Sequence, residues 1–171
     1  MSTGKPLGNL IDIIPAILPL DLQTARDGDY ISLKHAQGVA VVVFKGAGTA
    51  GDDPLISFQQ AQDVAGTGVK DLATIATIFK KQGTLTAVGT WSKVTQAAGA
   101  SFQADATSAE EEAVYVFEIE ADELDVDNGF DCLRVRVADT GTNAQLGCAL
   151  YLLYGQRYAA TPANLPSSIV D

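Results

Sequence analysis

Hydrophobic residues follow two patterns along this chain, short continuous apolar runs and strict alternation, and both belong to β-strands. Val39 to Phe44 is a continuous run, joined by a glycine-rich link, Gly46 to Asp53, to a second apolar segment from Leu55. There Leu55, Ser57 and Gln59 alternate with Ile56, Phe58 and Gln60. Val114 to Ala121 sets Tyr115, Phe117 and Ile119 on one face and Val116, Glu118 and Glu120 on the other. Phe130 to Val137 sets Leu133, Val135 and Val137 against Cys132, Arg134 and Arg136. Leu146 to Tyr154 is almost wholly apolar, which suits the middle of a sheet. Shorter strands are predicted at Tyr30 to Leu33, Leu72 to Phe79, Leu85 to Val88 and Trp91 to Thr95. Turn signals separate them: Asp27-Gly28-Asp29, Lys80 to Gly83, Gly89, and Asp139 to Asn143. Residues 97–106 are small and weakly patterned around Phe102, and Ser108 with Glu111 fits the capping box of a single helical turn.

The pattern predicts an all-β fold, an antiparallel β-sandwich with extended N- and C-terminal arms. The link at 46–53 reads as a hairpin loop whose glycines permit positive φ. Glu118 and Glu120 are expected to face Arg134 and Arg136 across an antiparallel pair. Such exposed pairs are worth ~1 kcal/mol or less, so they set register more than stability.

The two ends differ from the middle. Residues 1–22 carry Leu10, Ile11, Ile13, Ile14, Ile17, Leu18, Leu20 and Leu22, yet Pro15 and Pro19 forbid a continuous helix. The segment reads as an extended arm that packs on its own domain or on a neighbour. Residues 23–158 form the sandwich, and 159–171 form a second extended tail, kept open by Pro162 and Pro166 and ending in Ile169 and Val170. The interaction candidates are therefore Leu10, Ile11, Ile13, Ile14, Ile17, Leu18, Ile169 and Val170, with Trp91, the single tryptophan, as a core or interface anchor.

Composition narrows the partners. The chain has 171 residues and a net charge of −10, with 47% hydrophobic residues. That is enough for one sizeable core. The acidic balance argues against nucleic acid, whose phosphates need clustered Lys and Arg, and against an anionic membrane surface. No secretory signal is visible and no run reaches the ~20 apolar residues of a spanning helix, so synthesis in a reducing cytoplasm is expected.

Candidate chemistry does not accumulate. Gly46-Ala47-Gly48-Thr49-Ala50-Gly51 matches G-x-G-x-x-G, but Asp52, Asp53 and Pro54 stand where a phosphate-binding helix would begin. Asp122 to Gly129 is acidic, but Asn128 precedes the glycine and Arg134 occupies the position of the bidentate glutamate, so a tight turn with Leu124 tucked inward accounts for it better than calcium. His35 is the single histidine, and no paired Cys, Ser or second His stands at a recognisable catalytic or metal-ligand spacing in the sequence. Cys132 and Cys148 fall in predicted strands and do not make a disulfide framework. No catalytic, cofactor or metal residue is assigned.

The segments GVAVVVFKGAG, GDDPLISFQQAQD and FDCLRVRVADTGTNAQLGCALYLLYGQRYAATPANLPS resemble a family of small virion proteins of tailed bacteriophages, suspected head decoration or cement proteins. The similarity spans most of residues 37–168. Its most specific parts are Gly51-Asp52-Asp53-Pro54 before an alternating Gln-rich strand, and Arg157-Tyr158 before a Pro-containing tail. The resemblance implies a β-sandwich or jelly roll without an enzymatic site, bound through the major capsid protein to the outer head surface. It also implies a homo-oligomer, a trimer being one form. A tail or head–tail connector subunit is the alternative within virions, and a carbohydrate-binding β-sandwich module the alternative outside them.

Overall fold

The alternating segments pair into two antiparallel sheets that face each other across one core. In the computed structural model, residues 7–83, 89–104, 111–138 and 141–157 are described. The strands are β1 (Ile11–Asp21), β2 (Arg26–Asp27), β3 (Ile31–Ser32), β4 (Gly38–Lys45), β5 (Leu55–Ala61), β6 (Lys70–Asp71), β7 (Ile75–Gly83), β8 (Trp91–Gly99), β9 (Ser101–Gln103), β10 (Glu112–Glu120), β11 (Cys132–Val137) and β12 (Leu146–Tyr154). The first sheet runs β1-β12-β4-β10-β7-β8. The second is centred on β11 and β5, with β2 and β3 beside β11, and β6 and β9 beside β5. The protein is thus an all-β antiparallel sandwich. Helical structure among the described residues is limited to three single turns of 3-10 helix, at Leu7–Asn9, Ala121–Glu123 and Val126–Asn128.

Side-chain alternation builds the core. Val39, Val41 and Val43 of β4, Tyr115, Phe117 and Ile119 of β10, and Ala149, Tyr151 and Leu153 of β12 point inward from the first sheet. Ile56 and Phe58 of β5 and Leu133, Val135 and Val137 of β11 meet them from the second. Phe58 and Phe117 pack edge to face across the gap with centroids 5.2 Å apart, and Phe102 of β9 lies 5.9 Å from Phe117. Each large apolar side chain so buried contributes roughly 1.5–3 kcal/mol before entropy. The alternation at 114–121 and the inward Leu124 are as expected.

The structure corrects three expectations. Residues 11–21 are not an arm beyond the sandwich: they form β1, hydrogen-bonded to β12 from Ile11↔Tyr154 to Asp21↔Leu146. The sandwich therefore begins at residue 11, not 23. β1 lies at the sheet edge, where proline is tolerated, and its register shifts on either side of Ile17. The link after β4 is not a hairpin, because β4 belongs to the first sheet and β5 to the second. It crosses the top of the core, held by Asn143, whose N–H and Nδ2 donate to the Asp52 carboxylate at 2.8 and 2.7 Å.

Glu118 and Glu120 do not face Arg134 and Arg136, since β10 and β11 lie in opposite sheets. The arginines instead turn to Asp27 of β2, Arg136 Nε at 2.7 Å and Arg134 at 3.2 Å. Arg134 also donates to Gln59 Oε1 at 2.8 Å and stacks over the Tyr30 ring. Of the weakly patterned stretch, residues 97–99 complete β8 and 101–103 form β9, with Phe102 buried. The predicted strand at 85–88, the capping box at 108–111, and the tail 159–171 with Ile169 and Val170 lie outside the described residues.

Candidate functional site

A strand that is apolar on one face can be satisfied by the core, whereas a strand apolar on both faces needs a second cover. β4 (GVAVVVFK) and β12 (LGCALYLLY) are of the second kind and lie side by side in the first sheet. Their outward residues are Ala40, Val42 and Phe44, and Cys148, Leu150 and Leu152. The neighbouring strands extend the same surface. The register gives one continuous row, Pro15–Leu150–Val42–Val116–Phe79. A second row is Cys148–Phe44–Val114–Lys81–Trp91, and a third is Ile13–Leu152–Ala40–Glu118.

These side chains are half-buried by one another or openly exposed, Phe44 and Ile13 at 46% and Trp91 at 55%. Trp91 lies parallel to Phe79 with ring centroids 6.3 Å apart. The face is thus a contiguous apolar surface across the six strands of the sheet, larger than the scattered apolar residues of an ordinary surface. Its charges are few, with Lys81, Lys93 and Glu112 toward one end and Glu118 and Glu120 toward the other. Elsewhere the chain is strongly acidic.

The edges of this sheet are guarded while its face is open. β1 carries Pro15 and Pro19 and two register shifts. β8 carries Lys93 and a break in register between its pairs with Ile75 and Thr77, where Gln96 Nε2 donates to the carbonyls of Ile75 and Ser101 at 3.0 and 2.9 Å. Prolines, lysines and bulges are the devices that discourage strand addition.

The candidates read from the sequence divide between core and surface. Ile14 and Ile17 are buried in the domain's own core and are not available to a partner. Ile11 and Ile13 belong to the outward face, opposite Tyr154 and Leu152. Leu10 and Leu18 are exposed near the edge, and Trp91 is an exposed edge residue and not a core anchor. Val42, Phe44, Val114, Val116, Leu150 and Leu152 were missed as contact residues. Their signal was present in the continuous runs at 39–44 and 146–154, which mark strands apolar on both sides.

The polar contacts of the acidic turn are structural. The Asp125 carboxylate bonds Lys70 and, at 2.9 Å, Asn128 Nδ2, which together hold it below the usual carboxylate range, Lys70 most strongly. Lys70 Nζ also sits 4.0 Å from the Phe130 ring. These contacts tie the acidic turn to β6. Cys132 and Cys148 are free thiols, and burial pushes Cys132 up to about 12. A pocket of about 140 Å³ beside Thr77, Glu118 and Glu123 is smaller than the roughly 300 Å³ that small-molecule sites occupy. Among the described residues no three His, Cys, Asp or Glu are grouped to hold a metal ion, and no helix is long and apolar enough to cross a membrane. No protein-family model matches the chain, and no curated protein or solved structure is significantly similar to it.

Proposed function

We propose that this protein is a structural virion component, a decoration or cement protein on the outer head surface of a tailed bacteriophage. It works by lying against other polypeptides. The observation that carries the reading is the open apolar face of the first sheet, rigid because it stands on a packed core and flanked by edges that resist strand addition. Such a face is a contact surface for polypeptide. The segment resemblance supplies the setting, a phage head, and the acidic charge keeps the free subunit soluble before assembly.

The test is occupancy. Heads prepared without this protein are mixed with the purified chain and sedimented. Co-sedimentation at saturable stoichiometry, with added resistance of the heads to heat, is the expected result. A protein that stays in the supernatant, and that is missing from purified virions, overturns the reading.

A further inference from the structure

We infer that the outward face of the first sheet packs against the same face of a second copy, giving a two-fold dimer of stacked sheets. This rests on reading that face as a polypeptide contact surface, and it names the occupant.

Three observations select a second copy. The first is charge. Two chains of net charge −10 repel, and the place where they meet most cheaply is a surface free of that excess. The outward face comes close to this: Lys81 and Lys93 offset two of its three carboxylates, Glu112, Glu118 and Glu120.

The second is self-complementarity. A two-fold axis running across the strands, between the Val42 row and the Ala40 row, keeps each strand opposite itself and inverts its direction. Leu150 of one copy then meets Leu152 of the other, and Phe44 meets the Tyr154 ring that covers Gly38. The same operation brings Lys81 of β7 beside Glu120 of the neighbouring β10, twice over. An isologous interface requires this property of one patch.

The third is size. Six strands at ~4.8 Å spacing and six residues at ~3.3 Å rise cover roughly 500 Å² of plane per copy. Two copies bury about 1,000 Å² before side-chain relief is counted, which reaches the size of a specific interface. Aligned sheets stack about 10 Å apart.

The experiment is sedimentation equilibrium of the full chain, run beside the head-binding assay. Wild type is expected to be a dimer. Val42→Asp places a carboxylate at the centre of the face and is expected to raise the dissociation constant at least about 100-fold. Lys81→Glu, at an exposed position, is expected to raise it about 10-fold over the two symmetric pairs, and adding Glu120→Lys is expected to restore it. Circular dichroism and cooperative unfolding check the fold, and the exposed Lys81 variant carries the test if Val42→Asp does not fold. A wild-type monomer, a dimer indifferent to Val42→Asp or Lys81→Glu, or a charge swap without rescue overturns the inference. A monomer that binds heads through this face would sink the dimer and leave the proposed function standing. A dimer that ignores heads would do the reverse.

Discussion

The hydroxyl of Tyr151 crosses the core to accept the backbone N–H of Val135 at 2.9 Å, joining β12 of the first sheet to β11 of the second. It also donates to the Asp29 carbonyl at 3.1 Å. Tyr151 is fully buried and its bond to Val135 is buried, so that N–H depends on this oxygen, whereas Asp29 is exposed to solvent. The neighbouring Gly28 is shaped by it, since a Cβ there would stand 2.7 Å from the hydroxyl and 3.1 Å from the Ala16 carbonyl.

Tyr151→Phe leaves the ring packing intact and strips two backbone groups of their partner. The expected cost is about 1–3 kcal/mol, the penalty for one buried unsatisfied polar group, the Val135 N–H. Urea unfolding should show a lower midpoint with an unchanged slope. Gly28→Ala should also destabilise, because a backbone carbonyl cannot retreat from the new methyl. A Tyr151→Phe protein as stable as wild type would show that the cross-sheet bond contributes nothing.

The arginines of β11 give a second test, because sequence and structure assign them different partners. Asp27 lies 2.7 Å from Arg136 and 3.2 Å from Arg134, all three partly exposed to solvent. A double-mutant cycle on Asp27→Asn and Arg136→Gln should give a coupling of about 0.5 kcal/mol, weakened by salt. The same cycle on Glu120 and Arg136 should give none, since β10 and β11 are in opposite sheets. Coupling in the second cycle and not the first would mean the strands pair differently.

That contrast shows what the residue pattern could and could not convey. Alternation reports which side chains of one strand share a face, so Tyr115, Phe117 and Ile119 were legible as core, as was the inward Leu124. Alternation does not report which strand lies alongside. Glu118 and Arg134 have the right charges and spacing for a ladder, but the turn at 121–128 carries the chain to the other sheet. The glycine-rich link misled in the same way, because short polar loops serve hairpins and crossovers alike. β1 was obscured by Pro15 and Pro19, which weaken the strand signal even though an edge accommodates them. The candidate face was half legible: the runs at 39–44 and 146–154 announced strands without a polar side, and only their pairing showed that the second apolar side is exposed as one surface.

Acid sensitivity should trace in part to Asp21. Its Oδ1 accepts the N–H groups of Gln145 and Gln23, each at 2.9 Å, and the bond from Gln145, then that from Gln23, holds the carboxyl below its ordinary value of 3.8. A carboxyl lowered in the folded state binds fewer protons there than in the unfolded chain. Its contribution is therefore complete above the unfolded pKa and is lost as pH falls through the folded one. Asp63 and Asp125 are lowered as well and act in the same direction, while burial raises Asp12 and acts in the opposite one. The difference in stability between wild type and Asp21→Asn isolates one group. It should be constant near neutral pH and shrink below about pH 4. A difference independent of pH down to acid unfolding would contradict the assignment.

The two thiols should respond differently to an alkylating reagent, and the difference reads out both the core and the outward face. Cys132 is almost wholly inaccessible, and burial, then Asp131, pushes its thiol up to about 12, so it holds almost no thiolate near neutral pH. It should react only as the domain unfolds. Cys148 is half-buried beside Phe44 in the outward face, with its thiol raised by burial alone. In a monomer it is reachable from solvent, and in the stacked dimer it lies beneath the second copy. Labelling of Cys148 should therefore slow as protein concentration rises through the dissociation constant, and Val42→Asp should abolish that dependence while Cys132 stays protected. Equal rates at every concentration, in a protein that sediments as a dimer, would place the dimer contact on another surface.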